Sequence, residues 1–463
     1  MTDFTQATAA ELCSLYRSGA ASPVTVAEQV LAKIERLNPV INAFCFTDPE
    51  TTLAQARASA QRWRQGQPLS RLDGVPVAVK DSILTQGWPT LQGSLAIDAN
   101  QPWPEDAPAV ARLREAGAVF VGKTTVPEFN SSGGSHSNSK IHGVVRNPWG
   151  IKHTPGGSSG GSAVAVAAGI VPLAIASDVG GSIAVPSAFC GIVGLKPSCG
   201  RVPQYPGGVF HLGTVGPMSR STADLALILN TISLPDVRDW ASLPYNHVDY
   251  TQQTPTTLNG LRVAYCQTID DQQVNLEILS AVDQVISWLS SQGAVVELVD
   301  IDIKNSPQVL SQLQTPAVLQ QWQNISVDKQ HLVGREFQQI SICSHAKVDL
   351  YHWLEQCKDA VIKMRKFMQM YDVIISPATT VTPDQIAVDE ITLENKKILI
   401  SPWSVLFSTT KQPTLTIPIG LNSNFVPLAV MITGAMHDDV RVLQVAQAIE
   451  HQFSMPRCPV ILK

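Results

Sequence analysis

Three short segments hold the residues best suited to chemistry: Val77-Ala78-Val79-Lys80-Asp81, Gly156-Gly157-Ser158-Ser159-Gly160-Gly161-Ser162 and Asp178-Val179-Gly180-Gly181-Ser182. A serine hydroxyl becomes a useful nucleophile once a base takes its proton, and a lysine amine is a base only while neutral. Lys80 follows Pro76-Val77-Ala78-Val79, and apolar burial of that kind disfavours the ammonium form and lowers the amine's pKa. A hydroxyl placed between amine and nucleophile can accept one proton while donating another, and Ser158 fits that bridging place. The segments together read as nucleophile, relay and base. Glycines around such a nucleophile let main-chain N–H groups converge on a developing oxyanion without Cβ obstruction.

Gly and Ser alone describe a flexible linker, but each Gly-Gly-Ser cluster here adjoins an apolar run, so both are loops of a folded core. Gly74 to Lys80 is short, apolar and β-branched, which predicts a buried strand delivering Lys80 at its end. Ser162 to Ala168 predicts a helix capped by Gly169, feeding a strand over Val171 to Ser177 that ends at the second cluster. Upstream, Thr8 to Arg17, Val24 to Leu37 and Thr51 to Gln65 carry helical spacing, the second opened by Ser22-Pro23 at N-cap and first-turn positions. Asp106 to Ala116 reads as a helix stopped by Gly117, and Ala118 to Gly122 as the next strand. This alternation indicates an α/β core. From about Asn230 to Met370 the chain is more polar and helix-like, with strand-like interruptions near Leu261 to Tyr265 and Ala294 to Leu298, and is expected to pack around that core. Tyr371 to Pro377, Thr414 to Pro418 and Leu428 to Ile432 read as strands, and Asp439 to His451 as an amphipathic helix.

The segments resemble the amidase signature family, in which a Ser-Ser-Lys set cleaves amides and the two serines stand 24 positions apart, as Ser158 and Ser182 do. Lys123-Thr124-Thr125-Val126-Pro127-Glu128-Phe129, Arg146-Asn147-Pro148-Trp149, Pro186 through Pro197, Val215-Gly216-Pro217-Met218, Tyr371 through Pro377 and Asp438-Asp439 are similar to family segments in the same order. The resemblance implies an amidase-signature α/β fold with a central mixed, twisted β-sheet covered by helices on both faces. It implies one domain over residues 1–463, made of a helical segment 1–65, a catalytic core 66–230, a variable, mainly helical segment 231–370 and a core-completing part 371–463. By the same resemblance Ser182 attacks the carbonyl, Ser158, joined to Gly157 by a cis peptide, relays the proton, and Lys80 is the terminal base. The amides of Val179, Gly180, Gly181 and Ser182 make the oxyanion hole. Asn130, Ser131 and Ser132 are expected at the substrate, with segments Asn130 to Ser135, Gly207 to Leu212 and Trp403 to Phe407 shaping the pocket. The family usually carries Arg two positions after the nucleophile to pair with the preceding Asp. Here Ala184 stands opposite Asp178, so Asp178 must find another donor, protonate or meet water. Thr409-Thr410-Lys411-Gln412-Pro413 and Phe425-Val426-Pro427-Leu428 also depart from the family's turns.

Rival motifs fail on context. Gly156-Gly157-Ser158-Ser159-Gly160 satisfies G-x-S-x-G, yet the elbow of α/β-hydrolases needs a preceding apolar strand, and Asn147 to Thr154 is polar. Ser137-Asn138-Ser139-Lys140 mimics S-x-x-K without its companion motifs. His136, His142 and His153 match no metal template, so no metal is expected and they are placed at the substrate entrance. The Gly-rich loop lacks the Gly-Lys-Ser/Thr end of a phosphate-binding loop. A net charge of −5 without basic clusters excludes the footprint of a nucleic-acid binder.

The 44% hydrophobic and 15% charged residues, with a mean hydropathy of +0.07, describe an ordered globular chain. Ala163 to Ala176, the longest apolar run, is broken by Gly169 and Pro172 and is too short to span a bilayer. The start, Met1-Thr2-Asp3-Phe4, lacks the parts of a signal peptide, which favours the cytoplasm. Eight scattered cysteines without a Cys-x-x-Cys pair suggest free thiols. No cofactor is implied, and a homodimer is allowed. Three functions compete: a stand-alone amidase acting on a small carboxamide, the glutaminase subunit of a tRNA-dependent amidotransferase, and an inactive relative serving as a binding protein. Intact Lys80, Ser158 and Ser182 argue against the last. Leu332 to Met370 lacks likeness to the glutamine-recognising stretch of the second, which favours the first.

Overall fold

Eleven strands lie side by side in one mixed sheet in this computed structural model, which describes residues 2–132, 135–207, 213–252, 257–269, 272–303, 318–343, 350–385, 400–453 and 458. In chain order they are β1 (Phe44–Phe46), β2 (Pro76–Lys80), β3 (Val119–Thr124), β4 (Leu173–Asp178), β5 (Val193–Lys196), β6 (Thr214–Ser219), β7 (Arg262–Tyr265), β8 (Val295–Leu298), β9 (Val373–Pro377), β10 (Thr414–Leu421) and β11 (Pro427–Gly434). Their order across the sheet is β1-β3-β2-β4-β6-β5-β10-β11-β9-β7-β8. Strands β3, β2 and β4 run parallel, as do β9, β7 and β8. The pairs from β4 through β6, β5, β10 and β11 to β9 are antiparallel.

Side chains of a strand alternate between faces, and both faces here are apolar. Val77, Val79, Leu173, Ile175, Val263, Val373, Ile375, Val430 and Ile432 belong to one core that runs the length of the sheet. On the opposite face the apolar residues form two clusters. Ala78, Ala174, Ala176 and Met218 pack with the N-terminal helices, and Ala264, Ile374, Ala429 and Met431 pack under Trp403 and Phe407. Lys80 continues the Ala78 side and Asp178 the Ala176 side, so the polar groups of the site enter on the divided face.

Local signals set the helices. Thr8 and Glu11 form a reciprocal capping box at helix Ala9–Ser18, which Gly19 ends in the left-handed conformation. Ser22 caps helix Pro23–Ile41 with Pro23 in its first turn. Helix Gly160–Ala167 is buried all round, as its Ala/Val composition dictates, and it carries the first Gly-Ser cluster back toward β4. Helix Ala184–Cys190, also wholly buried, starts beside the second cluster and lies against β10 and β11.

The expected elements around the site form within a residue or two of their sequence limits. The β1, β5 and β6 strands do not follow from apolar periodicity: β1 has three residues, and β6 carries Gly216 and Pro217 in mid-sheet, with Pro217 paired to Ile175. Strands β7 and β8 extend the sheet edge, where the sequence suggested a segment packed around the core. Among the described residues, no helix is long and apolar enough to cross a membrane. Among the described residues, Cys13, Cys45, Cys190, Cys199, Cys266, Cys357 and Cys458 form no disulfide.

Candidate active site

Lys80 ends β2 with no exposed surface. Its Nζ donates to Ser158 Oγ at 2.7 Å and lies 3.0 Å from Ser177 Oγ and 3.2 Å from the Ser177 carbonyl. Burial pushes the amine down to about 7, opposed in part by the charge of Asp178. A buried ammonium loses hydration that three oxygen acceptors only partly replace, so the neutral base is accessible near neutral pH. Ser177, which periodicity assigns to the strand alone, is thus a second partner of the amine, one that motif reasoning missed.

The peptide between Gly157 and Ser158 is cis. A Cβ on Gly157 would fall 1.8 Å from the His136 carbonyl oxygen, so no larger residue fits that position. Ser137 Oγ accepts from the Gly160 N–H at 2.8 Å and lies 3.0 and 3.2 Å from the carbonyl oxygens of Gly156 and Ser158. The serine that mimicked an S-x-x-K motif is therefore a brace for the loop that holds Ser158. The two Gly-Ser loops meet where Ser159 donates its N–H to the Ser182 carbonyl at 3.3 Å. Ser182 itself is partly exposed, on the turn between β4 and helix Ala184–Cys190.

Asp178 has replaced its missing arginine with main chain. Its carboxylate accepts from the N–H groups of Gly181 at 2.7 Å, Ile183 at 2.6 Å and Ala184 at 3.3 Å. Three donors meet the demand of a buried carboxylate. The Gly181 N–H, expected in the oxyanion hole, is thus directed to Asp178, three residues back. Val179, Gly180 and Ser182 are the remaining amides of that turn. Ala184 is 3% exposed and packs with Val185, Phe189, Trp403 and Phe407, so the space an arginine would need is filled.

Phe129 and Asn130 both have left-handed backbone, with φ of 50° and 61°, a conformation that bulky residues adopt only where surroundings enforce it. Glu128 supplies part of that enforcement, accepting from Ser94 Oγ at 2.6 Å and from the Gly334 N–H at 2.6 Å. The Phe129 ring packs 4.6 Å from Phe337. The turn buries Asn130 Oδ1 and Ser132 Oγ without a hydrogen-bond partner among the described residues, and Ser132 Oγ lies 2.7 Å from where a Gly157 Cβ would be. The Ser131 hydroxyl donates back to the Phe129 carbonyl at 3.4 Å. Residues 133, 134 and 208–212 of the expected pocket segments lie outside the described residues, whereas Ser404, within Trp403 to Phe407, touches the Gly181 position. His136 is buried beside Gly157, while His142 joins Asp81 and Cys45 instead of an entrance.

The chain matches the family described as Amidase over residues 25–443. A bacterial aryl acylamidase of the amidase signature enzymes superposes with a TM-score of 0.88 at 26% identity, covering 96% of each chain. The peptide amidase from Stenotrophomonas maltophilia superposes with a TM-score of 0.84 at 26% identity, covering 98% of this chain and 99% of that one. A glutamyl-tRNA(Gln) amidotransferase subunit of Chloroflexus aggregans is 39% identical over 67% of this chain, a match that spans 63% of its own length. Its counterpart from Neisseria meningitidis serogroup B is 29% identical over 96% of this chain and 98% of its own. Family match and whole-length likeness in fold to bacterial amidases converge, although the chain spans about 63% of the length of the first curated relatives it matches: the chain belongs to the Amidase family.

Proposed function

We propose that the protein hydrolyses a small carboxamide through an acyl-enzyme on Ser182. The observation that carries this reading is the 2.7 Å contact between the buried Lys80 amine and Ser158. Neutral Lys80 takes the Ser158 proton as Ser158 takes that of Ser182, whose Oγ bonds to the amide carbon. The carbonyl oxygen gains charge facing the amides of Val179, Gly180 and Ser182, which oppose it only as it develops. The C–N bond breaks as the proton returns through Ser158 to the leaving nitrogen. Water then enters by the same relay, frees the acid and restores Ser182. Asn130 Oδ1 and Ser132 Oγ, without a partner among the described residues, support a substrate-binding role for that turn: the first can accept an N–H of the substrate, the second donate to an acceptor.

The 39% identity to an amidotransferase subunit favours a second reading, in which glutamine is the substrate and a partner takes the ammonia. Release of ammonia or amine from primary amides, anilides, ureas and glutamine, with Ser182→Ala as blank, separates the two. The isolated chain is expected to turn over simple amides faster than glutamine. Glutamine alone as substrate favours the second reading, and release that persists in Ser182→Ala refutes the acyl-enzyme.

A further inference from the structure

Beside Lys80, side chains converge that this chemistry does not use. Cys45 of β1, Asp81 directly after β2 and His142 bring a thiol sulfur, a carboxylate oxygen and an imidazole nitrogen within 4.8 Å of one another. Strands β1 and β2 flank β3, which sets Cys45 and Asp81 at one end of the sheet. The turn carrying His142 is closed by main-chain bonds between Ser139 and Gly143 of 3.1 and 2.7 Å, and is tied down by Asn42 Nδ2 donating to the His142 carbonyl at 2.6 Å. Asp81 is oriented by the N–H groups of Leu91 at 3.2 Å and Gly93 at 3.3 Å. His142 Nε2 is buried and has no hydrogen-bond partner among the described residues, although Asp81 Oδ2 is 3.9 Å away. That distance is too long for a hydrogen bond.

We propose that Cys45, Asp81 and His142 bind a thiophilic divalent cation of the zinc type. Sulfur, nitrogen and oxygen donors at one point select such an ion, whereas magnesium and calcium want oxygen alone. Zinc–ligand bonds of about 2.0–2.3 Å set tetrahedral donors roughly 3.5 Å apart, so the three groups must draw in by about an ångström. A thiol ligates as the thiolate, so the incoming ion displaces the Cys45 proton: one S–H bond is lost, one sulfur–metal bond forms, and one proton is released per ion. The nearby Lys123 ammonium is turned to other acceptors, the Ile83 carbonyl at 2.5 Å, Thr90 Oγ1 at 2.8 Å and Thr85 Oγ1 at 3.2 Å. Sequence spacing hides this set, because its members stand 36 and 61 positions apart.

The test is titration of the untagged full chain with Co(II) and then Zn(II). One Co(II) per chain is expected, with a thiolate-to-cobalt absorption band, release of about one proton, and displacement by Zn(II). Cys45→Ser should abolish the band and His142→Gln weaken binding by about 100-fold, with circular dichroism confirming that both fold. Cys357→Ser, on helix Leu350–Phe367, should change nothing. A band that survives Cys45→Ser, binding indifferent to His142→Gln, or no binding of either ion would overturn the assignment.

Discussion

Replacing Lys80 by Met removes the base and, with it, a group that the fold holds against its preferred charge state. The Lys80 amine titrates at about 7 in the folded protein against 10.5 for an ordinary lysine. Between those values the unfolded chain carries one proton more, so the wild type gains stability with rising pH at about 1.4 kcal/mol per unit. The contribution is fully unfavourable below about 7 and is relieved as the pH approaches 10.5. Summed over that window the effect is at most about 5 kcal/mol, and local relaxation and water entry reduce it. Against it, Met leaves the oxygens of Ser158 and Ser177 without their donor, at a cost of about 1–3 kcal/mol. Lys80→Met should therefore be inactive yet more stable than wild type at pH 7 by about 2 kcal/mol, with the advantage shrinking as pH rises to 9. Urea denaturation of both proteins at pH 7, 8 and 9 measures this, and the buried amines of Lys123 and Lys196, common to both, cancel. In parallel, wild-type kcat/KM should rise about tenfold per pH unit up to neutrality and then level. A stability difference independent of pH, or a neutral limb that persists in residual Lys80→Met activity, would refute the reasoning.

Ser182→Ala and Lys80→Ala should each nearly abolish turnover, and the double variant should lose little more, since members of one relay are not additive; steady-state kinetics of the three variants that multiplied the losses would contradict the relay. Ala184→Arg should lower stability by roughly 1–3 kcal/mol, read as a fall in Tm, because Asp178 is already satisfied and the neighbouring volume is filled. Gly157→Ala should eliminate activity, since its methyl group would meet the His136 carbonyl, and Ser158→Ala serves as the kinetic reference. Phe337→Ala, which removes the packing on Phe129, should raise KM more than it lowers kcat, because it loosens the Asn130 turn and leaves the Lys80 relay intact.

The placement of the candidate residues was legible because their local signals agreed. An apolar β-branched run ending in lysine is a strand with a buried amine, and β2 places Lys80 there. Ser158 was recognisable by its spacing from Ser182, and the cis bond before it is present. What sequence could not show lay in contacts between distant segments. Ser177 reads as one more strand residue until Lys80 is seen against it, and Ser137 reads as loop until it braces the Ser158 turn. The Gly181 amide was assigned to the oxyanion because glycine suggests exposure of main chain, yet the carboxylate of Asp178 competes for it at 2.7 Å. Strand β6 was obscured by Pro217, whose missing N–H argues against mid-sheet placement until its partners are known.

The order of strands also bears on how the chain is assembled during synthesis. β5 pairs with β10 through Leu195 and Leu415, residues 220 positions apart. The hairpin of β10 and β11 lies between the strand group ending in β5 and the group beginning with β9. Until that hairpin leaves the ribosome, both groups present raw edges with open ladder bonds, the state in which chains associate wrongly. Closure of such a long loop comes late and slowly. The last strands to emerge are thus the clasp of the whole sheet, and nascent chains halted before Thr414 are the forms most in need of chaperone protection.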